Sequence, residues 1–184
     1  MLRLDDFRLR PMTENDLEMV LNWRNQPHIR EMMYKDHVIS REEHQLWFEK
    51  TKDNPASVYL ILEYRGRPLG QTNFTKIDRE ASSCMWGFYI GEDTRPRGTG
   101  TVMGFLSLDY AFENVSLREV VGEVLEHNAK SHELFERLGF TLTGRLPQHV
   151  FKNGAYMDVC VYTLTAEDWL KRHRQRIKAA LRKI

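Results

Sequence analysis

Apolar and polar positions alternate with a period of two over Phe7–Met12; Val58–Tyr64 and Leu69–Ile77 read as strands joined by a turn, and Cys84–Ile90 is a short apolar run of strand character. Between the first two runs the spacing changes. Leu17, Val20, Leu21 and Trp23 recur at helical intervals after Thr13-Glu14-Asn15-Asp16, a capping box with Asp in place of Glu. Asn25-Gln26-Pro27 breaks that helix, and residues 28–39 read as irregular or weakly helical. Ser40-Arg41-Glu42-Glu43 is a second capping box, predicting a helix with Leu46, Trp47 and Phe48 on its apolar face and an end at Asp53-Asn54-Pro55. Arg65-Gly66-Arg67-Pro68 reads as a hairpin turn, and Asp78-Arg79-Glu80-Ala81 as the next turn.

The second half alternates between the two periods. Thr101–Phe112 is helical, Glu119–Leu125 is a buried strand, and Asn128–Leu138 is a helix stopped by Gly139 as its C-cap. Phe140–Thr143 and Val150–Phe151 are strand-like, Lys152-Asn153-Gly154 is a tight turn, and Tyr156–Leu164 is the last strand. Thr165 caps a C-terminal helix. The order β-α-α-β-β-β-α-β-α-β-β-α predicts a mixed α/β domain, with about seven strands in a central sheet flanked by helices. Residues 1–184 are expected to form a single domain, with the core over 7–164 and a basic amphipathic helix over 165–184.

Composition narrows the classes. Of the 184 residues, 27 are Lys or Arg and 26 are Asp or Glu. Residues 171–184 hold seven of the basic residues and no acidic one, leaving 20 basic against 26 acidic residues before them, a net of −6. Leu170, Ile177, Leu181 and Ile184 recur at helical spacing through that tail, so its charges are read as a solvated face rather than a nucleic-acid or membrane site. No apolar run approaches the roughly 20 residues needed to span a bilayer, and Met1–Asp6 carries charges where a signal peptide is apolar. The two cysteines, Cys84 and Cys160, lie in strand-like surroundings, so reduced thiols and a cytoplasmic location are expected. With no CxxC and no Cys/His cluster, no metal is expected.

Arg95-Pro96-Arg97-Gly98-Thr99-Gly100 lies between a strand and a helix. The unpaired N–H groups of a helix's first turn and its dipole favour an anion, and Gly98 and Gly100 permit unusual dihedrals and close backbone approach. A plain strand-to-helix turn is the competing reading.

Arg95, Gly98 and Gly100 match the acetyl-CoA signature Arg/Gln-x-x-Gly-x-Gly/Ala, and Asn128 through Gly139-Phe140 matches a second signature in the expected order. On these residues the chain resembles the GCN5-related N-acetyltransferase (GNAT) superfamily over about residues 7–164. A narrower resemblance rests on Leu21-Asn22-Trp23-Arg24-Asn25, Ile29-Arg30, Met33, Asp36–Ser40 with Glu43-His44, and Glu123–Asn128. It is to the sugar-nucleotide N-acetyltransferases of pseudaminic acid biosynthesis, which acetylate the 4-amino group of a UDP-linked 4-amino-4,6-dideoxy sugar used to glycosylate flagellin. Ribosomal-protein N-terminal and polyamine acetyltransferases share the same core. A non-catalytic acyl-CoA-binding module, or a basic-tailed nucleic-acid binder, is the alternative of another class.

The resemblance implies a division of labour. The fourth and fifth strands splay, and the pantetheine arm of acetyl-CoA lies between them, paired with the backbone of Tyr89 and Ile90. The pyrophosphate rests on Arg97, Gly98, Thr99, Gly100 and Thr101, with the Arg95 side chain nearby. Asn128 contacts the pantetheine and caps its helix. Phe135 stands where many relatives carry a proton-donating Tyr, with Ser131 a weak substitute. Glu123 is the candidate general base; a strand carboxylate paired with an Arg is the competing reading. Glu126 is read as a surface residue. Arg24, Asn25, Arg30, His37 and His44 are candidates for the acceptor, Arg suiting a diphosphate. Met33, Tyr34, Trp47 and Trp86 are candidates to pack on a base or deoxysugar, and Asn73 and Thr75 to bind sugar hydroxyls. Trp23 and Trp47 also fit the core, His44 also fits a structural histidine, and His132 and His149 are read as surface residues. The partner is a small molecule rather than nucleic acid or a membrane, and a homodimer is compatible.

Overall fold

The computed structural model describes residues 3–182. Its elements are β1 (Phe7–Pro11), α1 (Leu17–Arg24), α2 (Pro27–Arg30), α3 (Arg41–Thr51), β2 (Val58–Tyr64), β3 (Arg67–Asp78), β4 (Ser83–Ile90), α4 (Thr99–Asp109), β5 (Glu119–Leu125), α5 (Ala129–Leu138), β6 (Thr141–Lys152), β7 (Ala155–Thr165), α6 (Ala166–Asp168) and α7 (Arg174–Leu181). Among the described residues the strands form one sheet in the order β1-β2-β3-β4-β5-β7-β6. Only β4 and β5 run parallel; every other pair is antiparallel.

Each face of the sheet is covered by helices. The even positions Cys84 and Trp86 of β4 join Val102, Met103, Phe105 and Leu108 of α4 and Leu134, Phe135 and Leu138 of α5 in the main core. The other face carries a smaller cluster of Val20, Trp23, Ile29 and Ile61. Trp23 is therefore a core residue, its indole N–H donating to Glu92 Oε1 at 2.8 Å.

The entrance to α1 is held by charge. Arg10 donates from both terminal nitrogens to Asp16 at 2.7 Å and from Nε to Glu63 at 2.6 Å, and Arg8 donates to the second Glu63 oxygen. The Asp16 carboxylate also accepts from the Thr13 N–H at 2.8 Å, as the capping box predicts. Burial pushes both carboxyls up, and the arginine hydrogen bonds outweigh it, leaving Asp16 and Glu63 below the ordinary carboxylate value.

Several expectations shift. Pro27 ends α1 and also opens α2, because its missing N–H costs nothing at a first helical position. In α3 the buried pair is His44 and Phe48; Leu46 is exposed, since three consecutive residues at 100° steps cannot share one face. α4 begins at Thr99 rather than Thr101 and passes into a π-turn over Tyr110–Asn114. The two short strand-like runs are one strand, β6, whose register shifts between Leu142 and Gly144 and between Leu146 and Val150. Bulges absorb the Gly144 and Pro147 interruptions. In the C-terminal segment a π-turn over Trp169–His173 resets the helical phase, so Trp169, Ile177 and Leu181 are buried and Leu170 is exposed. Lys183 and Ile184 lie outside the described residues. Arg172 and Arg174 pair with Asp168 and Asp109, and Lys171 with Glu167. Cys84 and Cys160 are both free thiols, and burial pushes Cys84 up to about 12.

Candidate functional site

The parallel pairing of β4 with β5 lasts only from Ser83/Glu119 to Met85/Val121. Beyond it Trp86–Ile90 and Gly122–Leu125 diverge, leaving facing backbone edges with no strand between them. A cleft of about 890 Å³ occupies this fork and continues over the β2–β4 face toward α1, α2 and α3. Phe135 is the floor of the fork. Its ring, 2 % exposed, packs on Trp86 (5.3 Å between centroids) from β4 and on Tyr162 (5.2 Å) from β7. It fits because Gly122 lacks a side chain: a Cβ there falls 2.1 Å from Phe135 Cε1. Gly122→Ala is therefore expected to destabilise the fold by about 1–3 kcal/mol through overpacking. The comparison is a thermal melt against wild type and against Gly122→Ala with Phe135→Leu, which restores part of the loss. An unchanged midpoint in the single variant contradicts this seating of the ring.

At one end of the fork the chain leaves β4 through Gly91–Gly98 and enters α4. Gly98 takes φ +89°, the left-handed region open to glycine, and turns the chain into the helix. Gly100 lies within the first helical turn, so unusual dihedrals are confined to Gly98. The Thr99 N–H and hydroxyl both donate to the Pro96 carbonyl, and Thr101 Oγ1 accepts from Arg137. Those two side chains face inward, leaving the backbone of the turn as its outward polar surface; the N–H groups of a first turn have no helical acceptor. Arg95 lines the cleft but folds onto its own loop, donating to the carbonyls of Glu92 and Asp93, and Arg97 is exposed away from the cleft. Across the fork, Asn128 Oδ1 accepts the Ser131 N–H at 3.2 Å as the N-cap of α5, and both residues line the cleft.

At the other end, Glu123 projects from β5 into the cleft and its Oε2 accepts the Tyr34 hydroxyl at 2.6 Å. No arginine pairs with it among the described residues; that competing reading fails here. Burial, followed by the bond to Glu123, raises the Tyr34 phenol above its ordinary value and keeps it a donor. Arg24 lies in the cleft wall. Its Nη2 donates to the Lys35 carbonyl at 2.9 Å, whereas Nη1 is buried without a hydrogen-bond partner. Burial pulls the guanidinium below its ordinary value. His44, likewise buried in the wall, has an unpartnered Nε2 and stacks on Trp47, which is itself half-buried at the cleft. Burial lowers His44 and so favours neutral imidazole. Met33 lines the cleft, and Asn73 lies over Gly87, whose missing side chain leaves the amide room.

Four acceptor candidates are placed otherwise. Asn25 closes a ring with the Ile39 backbone, accepting its N–H and donating to its carbonyl at 2.9 Å each. Arg30 donates to the carbonyls of Asn25 and Asp36, and His37 pairs with Glu43 at the surface. These three order the 25–39 loop and do not line the cleft. Trp86 meets the cleft only from beneath; its indole N–H donates to Thr72 Oγ1 at 2.8 Å within the core. His132 is half-buried between Tyr162 and the Glu126 carbonyl rather than on the surface. Glu126 is exposed and pairs with Arg145.

Sequence reasoning missed Tyr59, Gln71, Glu31, Lys35 and Lys130, all lining the cleft. The first two were accessible. Tyr59, Gln71, Asn73 and Tyr89 are alternate residues on one sheet face, and β2–β4 register sets Tyr59 opposite Asn73 and Gln71 opposite Tyr89. Among the described residues no group of three or more His, Cys, Asp or Glu side chains is placed to hold a metal ion, and no helix is long and apolar enough to cross a membrane.

Comparison with known proteins accords with this geometry. The acetyltransferase (GNAT) domain matches residues 6–141. Acetyltransferase PseH of Campylobacter jejuni is 26% identical over 142 residues, covering 77% of this chain and 86% of that protein. Spermidine N(1)-acetyltransferase of Vibrio cholerae is 24% identical over 152 residues, covering 82% and 88%. The crystal structure of the Vibrio cholerae spermidine N-acetyltransferase with CoA and spermine superposes with a TM-score of 0.86 at 23% identity, covering 91% of this chain and 99% of that one. With the family domain spanning most of its length, this chain belongs to the GNAT acetyltransferases and is an N-acetyltransferase.

Proposed function

We propose that the chain transfers the acetyl group of acetyl-CoA directly to the amino group of a nucleotide-linked amino sugar, the 4-amino group of a UDP-4-amino-4,6-dideoxy sugar. The observation that carries the acceptor class is Arg24 Nη1, a buried cationic donor without a partner, in the wall of the cleft that His44 also lines. A buried donor left unpaired is costly, and an anionic or acceptor-rich ligand offsets that cost. A polycation does not. PseH, named above, is an acetyltransferase of the same family and adds support.

On this reading the pantetheine arm lies in the fork, against the backbone of Tyr89 and Ile90. The open edges of β4 and β5 provide N–H and C=O groups for its amides, and one N–H is placed to polarise the thioester carbonyl. The outward backbone of Gly98–Thr101 meets the pyrophosphate, with Arg95 released from its loop carbonyls to join it. Asn128 and Ser131 flank the arm across the fork. The acceptor enters from the Arg24–His44 side, and its amino group approaches Glu123, whose carboxylate takes a proton as the nitrogen attacks. The CoA thiolate leaves without a hydroxyl at position 135; a thiol of pKa about 8.5 makes that tolerable. The chain acts as one domain in the cytoplasm, where its free thiols stay reduced.

One set of residues favours a second reading. Glu31, Glu43 and Glu123 also line the cleft, and they suit a polyamine such as the substrate of the Vibrio cholerae relative. Free-thiol release with acetyl-CoA and either the UDP-linked 4-amino sugar or spermidine separates the two. Turnover of spermidine alone removes the sugar reading. Arg24→Gln is expected to raise the acceptor KM by roughly 10–100-fold, the worth of a charged hydrogen bond, with the acetyl-CoA KM within about twofold. A lowered acceptor KM in that variant points to the polyamine.

A further inference from the structure

Lys152 ends β6, beside the Asn153-Gly154 turn, where a lysine ordinarily reaches into solvent. Here it is 4 % exposed. Its ammonium points instead at the segment after α2, where Nζ donates to the carbonyls of Glu31 at 2.7 Å, Met33 at 2.8 Å and Arg30 at 3.4 Å. The Asp36 carboxylate stands 3.6 Å away. An ammonium has three donors, and burying it is costly unless they are satisfied. Three converging carbonyls and one carboxylate meet that demand. The Glu31 and Met33 carbonyls are left over where a four-residue helix ends and the chain turns without regular structure, whereas the Arg30 carbonyl also accepts the Met33 N–H at 3.0 Å.

The segment so gripped carries cleft residues. Glu31, Met32 and Met33 line the acceptor side, and Tyr34 donates its hydroxyl to Glu123 across the cleft. The Tyr34 ring also meets His149 of β6 edge-on, at 6.0 Å between centroids. The 30–36 segment is thus fastened to β6 on both sides of the residue that touches the candidate base, by backbone carbonyls before Tyr34 and by the Asp36 carboxylate after it. We infer that Lys152 is a positioning residue: its ammonium acts as an internal cation that anchors the acceptor loop to β6 and sets Tyr34 on Glu123, without touching either reactant.

The inference rests on the acceptor reading above for its kinetic consequence, though not for its structural one. The test pairs Lys152→Met with Tyr34→Phe, singly and together, reading kinetics and amide hydrogen exchange. Lys152→Met is expected to speed exchange in residues 30–36 and to lower kcat/KM for the amine about tenfold, the scale on which small misplacements cost rate. The acetyl-CoA KM stays within about twofold of wild type. In the Tyr34→Phe background the same substitution costs less than about twofold, because the contact it supports is already gone. Equal cost in both backgrounds, or unchanged exchange in residues 30–36, overturns the inference. If Lys152→Met does not fold, Lys152→Gln, which keeps a donor for one carbonyl, goes through the same comparison and the same outcomes decide. Wild-type protein without turnover on any amine defeats the functional reading alone, since the exchange comparison needs no substrate.

Discussion

Glu123→Gln is expected to lower kcat by about 10²–10⁴-fold, the contribution a positioned general base makes to a proton-transfer step. The acetyl-CoA KM should stay within about twofold, because Glu123 faces Tyr34, on the side proposed for the acceptor, and glutamine keeps the size of the side chain. Glutamine can still accept the Tyr34 hydroxyl through its carbonyl oxygen, so the loop stays anchored while the proton acceptor is lost. Thiol release is the measurement. A variant retaining more than about a tenth of wild-type kcat would remove Glu123 from the base role and leave water or the bulk solvent to take the proton.

The second large effect is on stability. Arg10→Met leaves Asp16 and Glu63, 6 % and 4 % exposed, without the guanidinium that serves both. Breaking a buried ion pair from one side costs about 3–5 kcal/mol, and the low end applies because Arg10 is itself partly exposed. For a chain of this length that corresponds to a midpoint fall of roughly 10 °C. The sign with pH follows from the lowered folded values of both carboxyls. Their contribution is fully present above the unfolded carboxylate range and is lost as pH falls through the folded values. The gap between wild type and variant should therefore be widest near neutrality and close below about pH 4. A gap that stays constant down to acid would show that the pair is not the source. The ion network joins β1, β2 and the entrance to α1, so the variant should also loosen the wall that carries Arg24.

Local chemistry was legible wherever a residue acts on its own neighbours in the chain. The caps at Ser40, Asn128 and Thr165, the left-handed Gly139 and the Asn153-Gly154 turn all follow from side chains or glycines bonding within a few residues. The apolar runs placed β2, β3 and β4; β2 and β3 each bury four consecutive residues, so their mark is a continuous run rather than an alternation. Phase was harder. Leu46 and Leu170 are apolar residues at helical spacing, and a single residue of offset, or a π-turn, puts each on the surface.

The turn from Arg95 to Thr101 and the Asn128 cap, proposed as the donor end of the site, were visible in sequence because a tight turn and a helix cap are made by contiguous backbone. The proposed acceptor end was not. Arg24, Asn25 and Arg30 look equivalent in the chain, yet only Arg24 reaches the cleft, while the other two are consumed by the carbonyls of Asp36, Ile39 and Asn25 itself. Lys152 and Tyr34 are more than a hundred residues apart, and nothing local to Lys152-Asn153-Gly154 distinguishes a buried anchor from a solvated turn. Sequence alone determined the order of the strands, the caps and the glycine turn before α4, since those depend on interactions a few residues long. Tertiary structure decided which polar side chains remain free for a ligand, because that depends on which distant carbonyls and carboxylates have already claimed the others.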